Sequence, residues 1–230
     1  MTTQRITSIK VSPSLLETFR KYYVGAFNGF ITEDKVIDAI LRRTVWSDEM
    51  TFGSAFHAII EEGATKYYNE TTGKYHIKAE GMQKELVLDY LEIKEALIHR
   101  NKYPSMVHEI PCQLKMYVDG FDVLINMRID GMNGLDAHEH KTTSKEPKID
   151  QYQDSVQWRC YFLAADPNKV QYNIFQYTED ETTHRLNIQP YEFTFYDYPA
   201  LESDVKKWIS LFITFCRTKG LLANIEYNGR

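Results

Sequence analysis

The sequence is short of cysteine, of long apolar runs and of charge of one sign, and each shortage closes off a class of protein. Three cysteines occur among 230 residues, at positions 112, 160 and 216. None stands in a C-x-x-C pair, so the chain offers neither a disulfide framework nor a zinc or iron–sulfur spacing. No run of about 18 apolar residues exists, which excludes a membrane-spanning helix. The opening "MTTQRITSIKVSPS" has no apolar stretch of the signal-peptide kind. These absences predict a soluble, cytoplasmic protein with no membrane partner. The net charge of −5 argues against a protein that coats nucleic acid, which needs clustered Lys and Arg. It leaves a nucleic-acid enzyme open, because a carboxylate-rich metal site is itself acidic and local basic patches can steer the substrate.

What is present is an ordinary globular composition, 43% hydrophobic and 26% charged. No linker, repeat or break in composition divides it, so the expectation is one domain over residues 1–230, with a mainly helical portion at 1–105 and a sheet with flanking helices at 106–230. Helical spacing begins after Ser12, with Pro13 as first helical residue, in "PSLLETFRKYYVGAF". Further helices are expected near 35–42, over 51–68 and over 81–100. The period then changes to that of strands at 107–118, 121–130 and 135–143, joined by turns at Asp119-Gly120 and Asn133-Gly134. A helix with Asp150 as N-cap, strands at 169–178 and 184–195, and a closing helix at about 200–218 complete the chain. This order predicts an α/β fold in which helices flank a mixed sheet.

The stretch "RIDGMNGLDAHEHKTTS" carries the chemistry. With Asn133-Gly134 as a two-residue type I′ loop, Met132 pairs with Leu135, Gly131 with Asp136 and Asp130 with Ala137. Residues two apart on a strand share a face, so Asp130, Glu139 and Lys141 lie on one surface. The two carboxylates become diagonal neighbours about 7 Å apart at Cβ. Such a pair suits Mg²⁺ or Mn²⁺, which take oxygen ligands and keep exchangeable waters. A lysine beside them can hold a water and offset growing negative charge. Taken alone, an E-x-K triplet is far more often an incidental Glu–Lys pair on a solvent-facing strand, because such triplets are common. His138 and His140 form an H-x-H pair on the opposite face, which suits zinc only if further ligands arrive. As partly buried or supporting histidines they need none, and the backbone carbonyl of His140 is a better candidate ligand than its ring.

These residues resemble the PD-(D/E)XK nuclease superfamily, specifically its RecB-type and lambda-exonuclease-type branch. "RIDGMNGLDAHEHKTT" is similar to that branch's G-x-x-D, hairpin, (D/E)-x-K-T pattern. Asp130, Glu139, Lys141 and Thr142 fill the motif, while Arg128 stands near where Gly is usual, and the gap from Asp130 to Glu139 is short. "FGSAFHAIIEE" is similar to the G-x-x-x-H-x-x-x-E helix, through Gly53, His57 and Glu61. "QWRCY" is similar to Q-x-x-x-Y, through Gln157 and Tyr161 on one helix face, and "SPSLLETF" to the S-x-S-x-x-x-x-F opening.

The resemblance implies a restriction-endonuclease-like α-β-β-β-α-β core and a metal-dependent nuclease, in the exonuclease mode of that branch. It implies Asp130, Glu139, the His140 carbonyl and His57 as metal holders and Lys141 as the group that positions water. Gln157 and Tyr161 would contact the DNA backbone or Lys141, with Glu61 and Glu109 as additional carboxylates. DNA is the implied partner, with a recombination or single-strand-annealing protein as associate, in a bacterial or phage-infected cell. No iron–sulfur cluster is expected, since its cysteines are missing. Three alternatives stay open: a structure-specific endonuclease, a non-catalytic nucleic-acid-binding subunit, and a zinc site on His138 and His140. Oligomeric state is not legible.

Overall fold

Nine strands, seven α-helices and two short 3-10 helices (Thr65–Tyr67 and Leu222–Asn224) occupy the described residues, 7–25, 31–43 and 45–227, of the computed structural model. The N-terminal part comprises β1 (Ser8–Val11), α1 (Pro13–Tyr23), α2 (Glu33–Ile40), α3 (Asp48–Glu62), β2 (Tyr68–Asn69), β3 (Lys74–Ile77), β4 (Leu86–Leu88) and α4 (Tyr90–Lys102). There follow β5 (Val107–Val118), β6 (Phe121–Asn133), β7 (Asp136–Thr143), α5 (Ile149–Gln153), α6 (Val156–Ala165), β8 (Lys169–Glu179), β9 (Leu186–Phe195) and α7 (Leu201–Thr218). A six-stranded mixed sheet runs β1-β6-β7-β8-β9, with β5 also paired to β6, and β2-β3-β4 form a small antiparallel sheet. The β5–β6, β6–β7 and β8–β9 pairs are antiparallel. The β1–β6 and β7–β8 pairs are parallel. Parallel neighbours need a crossover, and α5 with α6 supplies it between β7 and β8.

Helices cover both faces of the large sheet. Leu16 and Phe19 of α1, Trp158 and Tyr161 of α6, and Ile209 and Phe212 of α7 pack with Ile125 and Ile174 in one core. Phe56 and Ile59 of α3 and Ile93 of α4 pack with Ile77 and Phe175 in the other. A large apolar side chain buried in such a core contributes about 1.5–3 kcal/mol. Burial on two faces explains why β8 is an almost unbroken buried run from Val170 to Phe175 rather than an alternating one.

Local signals account for most boundaries. Ser12 Oγ accepts the Leu15 N–H at 3.2 Å and Pro13 opens α1, as the sequence predicts; residues 26–27 of that predicted stretch lie outside the described residues. The helix expected over 51–68 starts earlier, capped by Ser47, and stops at Glu62, where Gly63 takes φ 81°. The helix expected over 81–100 is half strand. Leu86–Leu88 form β4, and an Asp89/Glu92 capping box starts α4: Asp89 Oδ1 accepts the Leu91 and Glu92 N–H groups, and Glu92 Oε2 accepts that of Asp89. Asp150 is not the cap expected of it; Ser155 caps α6, accepting the Gln157 N–H at 3.2 Å, and the short α5 stands apart before it. Strands β1 to β4 lie in the portion read as mainly helical.

The β6–β7 hairpin differs in register from the sequence reading. Asn133 pairs with Asp136, Met132 with Ala137 and Gly131 with His138. The loop is therefore Gly134-Leu135, with the positive φ of 63° at Gly134 alone, as a turn with Gly in its first central position requires. Continuing the register sets Asp130 directly opposite Glu139 instead of diagonal to it. The slip moves the partner by two residues, and an even slip leaves every side chain on its face.

Candidate active site

The β6–β7 ladder is three pairs long and ends at Gly131. Beyond it β6 runs on to pair with β1 while β7 stays with β8, so the two strands part at Asp130 and Glu139. Splaying leaves the His140 backbone to side-chain partners. Its N–H donates to Asp130 Oδ2 at 2.7 Å, and its carbonyl lies 3.0 Å from Nε2 of His57. Helix α3 brings His57 to this point because it packs close against β7. A Cβ on Gly53 would stand 3.1 Å from Thr142 Oγ1, so the glycine of the helix motif and the threonine of the strand motif set the spacing between them.

Glu139 is buried, 1% exposed, and fully partnered. Lys141 Nζ donates to Oε1, which also accepts Gln157 Nε2 at 2.7 Å. Tyr161 donates to Oε2 at 2.5 Å, lies 3.2 Å from the Arg128 carbonyl, and accepts from Gln157 Nε2 at 2.8 Å. Gln157 and Tyr161 share a face of α6 one turn apart, as their spacing predicts, but their protein partner is Glu139 rather than Lys141. Burial pulls the Lys141 ammonium down, yet Glu139 and Asp130 outweigh it and hold the group above its ordinary pKa, hence charged. Burial, then the negative charge of Glu139, pushes the Asp130 carboxyl well above the usual aspartate range. Burial lowers His57, which is therefore neutral.

Glu61 and Glu109 join the rim. His57 Nδ1 is 3.8 Å from Glu61 and 3.9 Å from Asp130. Burial, then the charge of the neighbouring Glu109 carboxyl, raises Glu61 to about 8, and Arg128 pairs with Glu109. Glu109 has φ 57°, a left-handed conformation that costs a non-glycine residue about 1–3 kcal/mol and concentrates at functional sites. A cleft of about 370 Å³ opens beside the cluster, lined by Ser12, Ser14, Asn126, Arg128, Gln157 and Tyr161 among others.

The residues fit a small hard cation. Two carboxylates, a carbonyl oxygen and one imidazole form a mostly oxygen set, of the sparse kind Mg²⁺ uses while keeping waters. The 3.0 Å between His57 Nε2 and the His140 oxygen is a hydrogen bond in which the ring N–H donates to the carbonyl, so Nε2 would have to give up that proton to hold a cation. Among the described residues, no three His, Cys, Asp or Glu side chains form a metal-holding group.

His138 and His140 lie on the strand face opposite Glu139 and Lys141, as expected, but the His140 ring meets that of His57 edge-on with centroids 5.7 Å apart, and both histidines are fully rather than partly buried, at 1% exposure each. Asn173 Nδ2 lies 3.2 Å from Nδ1 of His138 and 3.4 Å from Nδ1 of His140. His99 of α4 stacks edge-on against His140, with centroids 4.8 Å apart, and Tyr103 lies 4.7 Å from His138. Nε2 of all three histidines is buried without a partner. Nothing in the sequence around His99 signals its place here; helix α4 carries it in.

No helix among the described residues is long and apolar enough to cross a membrane. No protein-family model matches the sequence, and no curated protein matches it significantly. Among solved structures, the chain is similar to one described as "Crystal structure of SSO0001", at 12% identity and a TM-score of 0.39, covering 78% of this chain and 86% of that one. A likeness that distant carries no functional argument, so the fold stands at an α/β architecture: a six-stranded mixed sheet between helices, with a small antiparallel sheet beside it.

Proposed function

We propose that this chain is a Mg²⁺- or Mn²⁺-dependent deoxyribonuclease that hydrolyses phosphodiester bonds. The observation that carries the reading is Glu139: a buried carboxylate opposite Asp130, held by Lys141, Gln157 and Tyr161, beside a His140 carbonyl freed from the strand ladder. A purely binding surface has no use for two convergent carboxylates and a charged lysine at one strand parting. Asp130, Glu139, the His140 carbonyl and His57 would hold the metal. Once bound, the cation would lower the pKa of a water and offset charge growing on the phosphate.

The chain's own groups do the rest. Lys141, kept charged, orients the attacking water and donates to oxygen that gains charge in the transition state. Gln157 and Tyr161 fix Glu139 in one orientation, the supporting role that commonly governs metal affinity by about 10–100-fold. Both also border the cleft where a DNA strand would lie. DNA as substrate, the exonuclease mode, a recombination or annealing partner and a bacterial or phage-infected cytoplasm follow the RecB-type resemblance, by analogy alone.

The test is cleavage of end-labelled linear and closed circular duplex with Mg²⁺, Mn²⁺ or EDTA, beside Lys141→Ala. Metal-dependent loss of linear DNA alone, abolished in the variant, is the expected result. Cleavage of the circle would replace the exonuclease by an endonuclease. Tight binding without cleavage would make the chain a non-catalytic subunit.

A further inference from the structure

Strand β1 leaves the sheet abruptly. Its pairing with β6 ends at Val11 opposite Ile125, because Ser12 caps α1 and Pro13 has no N–H to carry a ladder on. Strand β7 takes up the same edge of β6 only from Gly131. Residues 126–130 between them pair with β5 on one edge and have no strand partner on the other among the described residues. Asn126 is the first residue of that gap, and two clefts meet there.

The first is the cleft of about 370 Å³ beside the candidate active site. The second, of about 550 Å³, continues from it, and the two share Ser12, Ser14 and Asn126. Arg128 lines the first, Lys10 and Arg42 line the second, and no Asp or Glu stands among the described residues that line either. In a chain of net charge −5 this is a segregation of charge, and it suits a polyanion. Both volumes lie in the range of small-ligand sites, about 300–1,000 Å³, so each takes the bulk of a nucleotide and not that of a double helix.

Asn126 narrows the chemistry further. Its Oδ1 is buried and makes no hydrogen bond. An acceptor left so costs about 1–3 kcal/mol, which a ligand bearing an N–H or O–H would recover. A phosphodiester bears neither; a base edge or a sugar hydroxyl does. Bases in a duplex give their pairing-edge donors to each other, whereas unpaired bases can be splayed out and bonded on those edges.

We infer that the joined clefts hold an unpaired stretch of the substrate strand next to the active site, with its phosphates on Lys10 and Arg42 and a base or sugar donor on Asn126. The inference rests on the nuclease reading above, and it makes the substrate a DNA with a single-stranded end.

The experiment uses the full chain, Asn126→Ala, Lys10→Gln and Arg42→Gln. Anisotropy binding is measured in EDTA at several salt concentrations, with a labelled single-stranded oligonucleotide, a blunt duplex, and that duplex carrying a single-stranded overhang. Thermal melting controls for folding, and cleavage of the overhang substrate with Mn²⁺ is followed in parallel. The unaltered chain should bind the overhang DNA more tightly than the blunt duplex. Asn126→Ala should raise Kd for the single strand about three- to tenfold, as loss of one hydrogen bond implies, and leave the blunt duplex within about twofold. Lys10→Gln and Arg42→Gln should each lower the slope of log Kd against log salt by about 0.7, the value for one phosphate of a single strand. Equal affinity for single strand and blunt duplex, or single-strand binding unmoved by all three variants, would overturn the inference; intact cleavage would then leave the nuclease reading standing. The expected variant effects without any cleavage by the unaltered chain would end the nuclease reading and establish the groove as a single-strand site. Lost melting stability in Asn126→Ala, with unchanged slopes in the two cation variants, would make Asn126 a structural residue and overturn the inference.

Discussion

Asp130 Oδ2 accepts the backbone N–H of His140 at 2.7 Å, so one candidate ligand holds in place the residue whose carbonyl is another. The carboxylate does the work of a missing strand partner at the point where β6 and β7 part. Structural and chemical roles therefore meet in one side chain, and they can be separated.

Asp130→Asn keeps an acceptor for the His140 N–H and removes the charge. Because burial and Glu139 already favour the protonated form of Asp130, the neutral amide should fold as well as the parent. Cleavage should fall at least about a hundredfold through lost metal binding, while stability changes by less than about 1 kcal/mol. Turnover at rising Mn²⁺ beside a melting curve checks both halves. A large loss of stability would show that the charge, not the acceptor, holds the strand parting.

Tyr161→Phe tests whether that residue serves Glu139 or the DNA. The phenol is buried, and burial with the Glu139 charge holds it well above its ordinary pKa, so it stays a donor throughout the working range. Removing the hydroxyl leaves Lys141 and Gln157 on the carboxylate. The expected result is a fall of about tenfold in kcat with KM within twofold, as for loss of a group that orients a ligand. A rise in KM alone would assign Tyr161 to the nucleic acid.

Gly53→Ala presses α3 against β7. The added methyl gains up to about 1 kcal/mol of helix propensity, but meets Thr142 Oγ1 at 3.1 Å and must displace it or the helix. Overpacking should prevail, costing about 1–2 kcal/mol net and moving His57 away from the His140 carbonyl, with a matching drop in activity. Thr142→Ala in the same chain makes room, so the double variant should recover stability non-additively. Chemical denaturation of the four chains decides it.

The histidine cluster predicts acid lability. Burial lowers both, reinforced at His99 by neighbouring cationic groups and opposed at His138 by Asp136, to about 3 for His99 and about 4 for His138, against 6.5 unperturbed. Folded-state values below the unfolded value mean that the unfolded chain binds more protons in this window. Stability from these groups is thus complete above pH 6.5 and is lost as pH falls toward 4. His99→Leu removes one of these groups together with its unpartnered Nε2, and should flatten the decline between pH 4 and 6.5, read from melting midpoints across pH. An unchanged slope would mean the cluster is already charged and solvated.

Much of this site was legible because it depends on local periodicity. The common face of Asp130, Glu139 and Lys141 needs only the twofold repeat of a strand and an even count across the turn, which is why a register wrong by two residues still placed them together. Gln157 and Tyr161, four apart on α6, needed only the helical repeat. Ser12 with Pro13 marked the start of α1 by backbone hydrogen-bond demand, and the capping box at Asp89, though present in the letters, was outweighed by an apolar pattern that fits strand and helix alike over so short a span as Leu86–Leu88.

What only the tertiary structure decided is every relation that joins distant segments. The approach of His57 to the His140 carbonyl, across 83 residues, follows from how closely α3 packs on β7. The pairing of β1 with β6, the arrival of His99 beside His138 and His140, and the link from Glu17 to Val156, 139 residues away, are likewise set by which surfaces the cores bring into contact. By itself the sequence determined the elements and the faces their side chains occupy, because dihedral preferences and hydrogen-bonding repeats act over a few residues. The fold decided which faces meet, because that choice minimises exposed apolar surface over the whole chain at once.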